Sequence, residues 1–196
     1  MNALILIDIQ NDFLPGGSLE VPKGDEIIDN INSIMDNYNM VVATKDWHPK
    51  NHISFASNHN NKKVGQITTI NNLDQILWPD HCIKDSKGSE FPEKLDFYKI
   101  HKIFYKGVDS NIDSYSGFYD NGKIRSTGLS NYLKKSNINQ VDIVGLATDY
   151  CVKYSSIDAY NEGFKTNVLR FCVRGISVET TKIAFKEMKD LGISII

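Results

Sequence analysis

Short apolar runs that each stop on polar residues constrain this chain more than any other feature. Ala3–Ile7 ends at Asp8, Met40–Thr44 at Lys45 and Asp46, and Lys102–Tyr105 at Lys106. Val141–Leu146 is followed within a few residues by Thr148, Asp149 and Cys151. Runs of this length without alternation predict strands buried on both faces. Thr166–Leu169 and Ile193–Ile196 read as further strands. Between the runs the apolar period changes. Ile27, Ile28, Ile31, Ile34 and Met35 predict a helix over about residues 25–36, and Leu129, Tyr132 and Leu133 one that begins near Ser126 or Thr127. Val152–Asn161, stopped by Gly163, and Val178–Leu191, stopped by Gly192, complete the set. Such alternation predicts an α/β fold: a three-layer, open, mostly parallel sheet with helices on both faces. The chain shows no repeat and no linker, so residues 1–196 read as a single domain. Residues 45–99, rich in Asn, His, Pro and Lys, read as one irregular segment long enough to suggest function.

Composition narrows the function classes. The net charge is -2 with lysines spread along the chain, which predicts neither nucleic-acid nor membrane partners. No apolar run approaches the roughly 20 residues of a membrane helix. The opening residues lack a basic region and reach Asp8 too soon for a signal peptide. Three cysteines, Cys82, Cys151 and Cys172, are an odd number; they predict a reducing, cytoplasmic setting with at least one free thiol.

In open parallel sheets, ligands bind at the carboxyl ends of the strands. Asp8, Asp46, Lys106 and Cys151 would then share one rim. Dinucleotide and phosphate-loop binding are disfavoured, because the first turn begins with a carboxylate and lacks their glycine patterns. Cys151 lies near the start of a helix, where backbone N–H groups favour a thiolate and can hold an oxyanion. A buried structural cysteine is the commoner fate of a free thiol. Asp8 could take and return its proton, and Lys106 could lower the thiol pKa while keeping Asp8 ionised. Taken alone, Asp8 is equally a turn cap and Lys106 a solvated lysine. Asp46, His48 and His81, with His52 nearby, offer two imidazoles and a carboxylate suited to Zn, Fe or Mn; the same histidines could simply be surface residues of a loop. Phe13, Trp78 and Tyr115 could wall a pocket for a flat ring or merely pack loops.

These segments together resemble the nicotinamidases of the isochorismatase-like cysteine hydrolase superfamily. The likeness runs through Ala3–Leu19, Thr44–Ala56, Trp78–Cys82, Lys106–Phe118 and Gly145–Lys153, in the family's order. It is weakest over residues 59–77. The resemblance implies a triad of Asp8, Lys106 and Cys151 and an oxyanion hole from the N–H groups of Ala147 and Cys151, with a cis peptide before Ala147. It also implies a divalent metal, zinc first and iron or manganese next, on Asp46, His48 and His81, with His52 beside it as a further ligand or supporting group. Phe13, Leu19, Trp78 and Tyr115 would line the pocket. The activity implied is metal-dependent hydrolysis of nicotinamide through a thioester, in NAD salvage, with pyrazinamide also accepted. A metal-free amidase of the superfamily and a catalytically silent nicotinamide-binding homologue are the rival readings. A homo-oligomer is left open.

Overall fold

Ala3–Ile7 lies at the centre of the sheet. In a computed structural model describing residues 1–196, strand β1 (Asn2–Ile7) has parallel neighbours on both sides, β2 (Met40–Asp46) and β6 (Gln140–Leu146). With β5 (Lys102–Lys106), β7 (Lys165–Arg174) and β8 (Ser194–Ile195) the order is β5-β2-β1-β6-β7-β8, and every pairing is parallel. The chain therefore builds outward from β1 through β2 to β5, then returns to the other side of β1 to lay down β6, β7 and β8. The reversal falls between β1 and β6, where a crevice opens at the carboxyl ends of the strands.

The period-2 geometry of a strand splits β1 between two cores. Ala3, Ile5 and Ile7 join one apolar cluster and Leu4 and Leu6 the other. The first cluster is covered by α2 (Leu129–Lys135), α3 (Lys153–Asn161) and α4 (Val178–Asp190), through Leu129, Leu133, Ala159, Ala184 and Met188. The second is covered by α1 (Ile28–Ile34) and its flanking 3-10 turns, through Ile27, Ile28, Ile31 and Met35. Burial on both faces is the reason these strands are continuously apolar.

Gly145 sets how closely β1 and β6 approach. Its φ is +114°, and a Cβ there would fall 2.0 Å from the carbonyl oxygen of Ile7. Only glycine meets both conditions.

Three expectations need correction. Residues 45–99 are not wholly irregular: they contain an antiparallel hairpin, β3 (Ile67–Ile70) and β4 (Leu73–Ile76). Its turn residues Asn71 and Asn72 both have positive φ, the conformation of a two-residue hairpin loop. The strand expected over Thr166–Leu169 continues to Arg174, because an irregularity opposite Ile143 and Gly145 shifts its register and carries it past the exposed Arg170 and Phe171. The helix expected from Val152 is preceded by a π-helical turn, Thr148–Val152, that runs directly into α3.

Candidate active site

Each rim residue owes its place to a strand end. Asp46 closes β2 and Lys106 closes β5, in register beside it. Asp8 follows β1 in a left-handed conformation, φ +47°. Cys151 sits in the π turn after β6, a feature that recurs at functional sites. The Leu146–Ala147 peptide bond is cis, as the family resemblance implies.

Lys106 joins these elements. Its Nζ lies 2.9 Å from Asp8 Oδ2, and donates to Asp46 Oδ1 at 2.5 Å, to the Ser114 carbonyl at 2.9 Å and to Cys151 Sγ at 3.4 Å. The Lys106 side chain is fully buried, so this ammonium is compensated entirely by protein groups. Burial alone would lower its pKa; Asp46 and Asp8 reverse that and hold it well above the usual lysine value. Lys106 is thus a fixed cation and not a proton donor.

Asp8 is held by Thr44, whose hydroxyl accepts from the Asp8 N–H at 3.2 Å and donates to Oδ1 at 2.5 Å. Asp8 Oδ2 receives no hydrogen bond in spite of its ion pair with Lys106, and remains open to a proton. Burial raises the Asp8 pKa to about 6, with Lys106 opposing and Asp46 reinforcing the rise. The Cys151 thiol is pushed well above its ordinary value, first by burial and then by Asp8 and Asp46, against the pull of Lys106. Burial and the two carboxylates thus oppose the thiolate that the helix start by itself would favour. One oxygen each of Asp8 and Asp46 and the Cys151 sulfur lie within 4.8 Å of one another.

The histidines meet because two loop stretches run side by side. The His48 N–H donates to the Cys82 carbonyl, the Lys84 N–H to the His48 carbonyl, and the Trp78 N–H to the Ser54 carbonyl. His48 and His81 each place Nδ1 on a carbonyl, Gly107 at 2.9 Å and Pro79 at 2.7 Å. This leaves each Nε2 as the free donor atom, the arrangement that orients metal-binding imidazoles. They stand 3.6 and 3.9 Å from the Asp46 oxygens. Two ligands about 2.1 Å from one zinc ion at the tetrahedral angle are separated by roughly 3.4 Å, so the donor set fits a small divalent cation. His52 Nε2 is buried without a partner close by, while its Nδ1 meets the Ser54 hydroxyl at 2.7 Å. Burial and the neighbouring His48 lower the His52 and His81 pKa values to about 4, which keeps both rings neutral; for His48, Asp46 overcomes burial and raises it. Gly107 makes room for this cluster, since a Cβ there would lie 2.2 Å from the His48 ring.

A cleft of about 390 Å³ opens over Cys151, and Phe13, Leu19, Trp78, Tyr115 and Ala147 all line it, together with Asp46 and His81. Val21, Asp113, Tyr150 and Ile176 complete the wall. These four were not singled out from the sequence. Tyr150 stands next to Cys151, so its adjacency was a usable signal. Val21 and Ile176 carry no chemical signature and are brought in by tertiary packing alone. Asp113 is buried, accepts from Gln75 of the hairpin at 2.9 Å, and offers an oxygen within 4.8 Å of the His48 and His52 ligand atoms. Cys172 is buried away from this rim in the second apolar cluster, while Cys82, buried in the same cluster, adjoins His81 and has its carbonyl on the His48 N–H.

A family model described as the isochorismatase domain matches residues 2–196. The chain belongs to the isochorismatase family. Within it, the curated relatives that share 35–41% identity with this chain are nicotinamidases. The Escherichia coli nicotinamidase is 40% identical, over 98% of this chain and 93% of its own length. The yeast nicotinamidase bound to the inhibitor nicotinaldehyde has a TM-score of 0.96 at 37% identity, covering 100% of this chain and 99% of that one. A pyrazinamidase of Pyrococcus horikoshii in complex with zinc has a TM-score of 0.80 at 35% identity, covering 100% and 98%. No helix of the chain is long and apolar enough to cross a membrane.

Proposed function

We propose that the protein hydrolyses nicotinamide to nicotinate and ammonia, with Cys151 as nucleophile. The observation that carries this reading is the buried Lys106 ammonium, in reach of Asp8, Asp46 and Cys151 at the floor of a ring-sized cleft. Asp8 takes the thiol proton as sulfur attacks the carboxamide carbon, and the carbonyl π electrons move onto oxygen. The N–H groups of Ala147 and Cys151 receive that oxyanion; one such donor is worth about 3 kcal/mol. Collapse of the adduct expels the amine, which takes the proton from Asp8 and leaves as ammonia. Water then attacks the thioester with Asp8 again as base, releasing nicotinate and restoring the thiol. Lys106 stays protonated throughout and steadies the negative charge on Asp8 and sulfur. Phe13 and Trp78 enclose the ring.

Asp46, His48 and His81, with His52 beside them, would hold one divalent ion, zinc first and iron or manganese next. When bound, it would supply a Lewis acid for the pyridine nitrogen, so that the carboxamide faces the thiol. The donor geometry and the zinc in the Pyrococcus horikoshii relative support this reading. Activity should fall at least about tenfold on chelation and return with zinc, because one lost charge-assisted contact already exceeds 1.4 kcal/mol. Metal analysis alongside ammonia release checks this, and full activity in metal-free protein would refute the metal's role.

The same pocket accepts pyrazinamide, whose ring keeps a nitrogen in the matching position. Chromatography should detect pyrazinoate, and its absence would confine the enzyme to nicotinamide. The test of the whole reading is ammonia release from nicotinamide by the purified protein.

Asp8 also predicts a pH profile. It works as a base only when ionised, and its pKa is raised to about 6. Nicotinamide kcat/KM should therefore be full well above pH 6 and fall as pH drops through that value. An acid limb near the ordinary aspartate value of 3.8 would mean that burial does not raise the working pKa of Asp8.

A further inference from the structure

A second cleft opens between the carboxyl end of β7 and the start of α4. It encloses about 910 Å³ and shares Ile176 with the ring cleft. Its charged lining residues are Lys23, Arg170, Arg174 and Lys182, and no carboxylate lines it. Glu26, outside the lining, pairs with Arg174 at 3.1 Å and Lys23 at 3.6 Å. Arg170 and Lys182 take part in no ion pair; the Arg170 guanidinium lies 5.8 Å from the Phe185 ring. Asp149 sits close by but outside the lining, and its charge is spent on the Ile176 and Ser177 N–H groups and the Thr180 hydroxyl at the start of α4. Asp149 and the Ser177 cap thus occupy much of this terminus, and the basic side chains carry the site.

Thr148 supplies an independent observation. It lines this cleft, is fully buried, and its hydroxyl Oγ1 has no hydrogen-bond partner. Buried hydroxyls are ordinarily paired, so an orphan beside a basic cleft marks an absent acceptor. Arg170 and Lys182, a guanidinium and an ammonium that no carboxylate pairs, match a phosphate dianion. Phe185, Pro22 and Val178 add apolar wall for an organic body.

We propose that this cleft binds a phosphate-bearing small molecule of the nucleoside phosphate class, at a site separate from the ring cleft. The proposal rests on charge, burial and cavity shape, and stands whatever the catalytic cleft turns over. AMP and inorganic phosphate are the probes, titrated calorimetrically into the full-length protein. AMP should bind more tightly than phosphate, more weakly as salt rises, and without displacement by saturating nicotinamide. The double variant R170Q/K182Q should bind AMP about tenfold more weakly or worse, with an unchanged melting temperature. Absence of AMP binding, equal affinity in the variant, or displacement by nicotinamide would overturn the site. Phosphate binding as tight as AMP would overturn the nucleoside class.

Discussion

Cys151→Ala should lower nicotinamide turnover by at least about 10⁴-fold, the scale on which removing a covalent nucleophile acts, while nicotinamide still binds. Deleting one sulfur from a buried position leaves Lys106 on Asp8, Asp46 and the Ser114 carbonyl. The melting temperature should therefore move by only a few degrees. This separates lost chemistry from lost structure. Single-turnover assays with the Cys151→Ala variant are the measurement, and residual ammonia release within about tenfold of the parent would remove Cys151 from the reaction.

The second large effect falls on stability. Lys106→Met removes the one cation between two buried carboxylates, and stranded buried charges typically cost about 3–5 kcal/mol. The deficit should depend on pH in a definite direction. Without the ammonium, the folded-state pKa of Asp8, already above that of the unfolded chain, rises further, and burial carries that of Asp46 up as well. The folded form then binds protons more tightly, so the variant loses stability as pH rises and regains part of it as pH falls from 7 toward 5. Urea unfolding of both proteins across that range tests this. Equal stability at pH 7 would show that the carboxylates do not depend on Lys106. Activity should be lost as well, since Asp8 would hold its proton at neutral pH.

Much of this arrangement was legible because strand ends are legible. A buried parallel strand must be continuously apolar, so the residue that breaks the run marks the rim, and Asp8, Asp46 and Lys106 were found in this way. His81 and His48 could be proposed as partners from their type, but what brings them together is a few backbone hydrogen bonds and two isolated bridges, His48 with Ile83 and Phe55 with Trp78, which leave no apolar period. The hairpin left a weaker trace. Its strands are four residues each and mostly solvated, and only the Asn71-Asn72 pair announces the turn. The far half of β7 was hidden because Arg170 and Phe171 face solvent and interrupt the pattern. The surroundings of Cys151 could not be read from position, since its burial and the two carboxylates that raise its pKa come from tertiary packing.

The place of β1 in the sheet has a consequence for how the enzyme is made. Leu4 pairs with Val41 on one side and with Asp142 on the other. Strand β1 must wait for β6, far along the chain, before its second edge is covered, and parallel pairings of such long separation form slowly. Asp8 and Cys151 flank that long-range seam. The thiol and the carboxylate beside it therefore meet only when the two halves of the sheet close on each other.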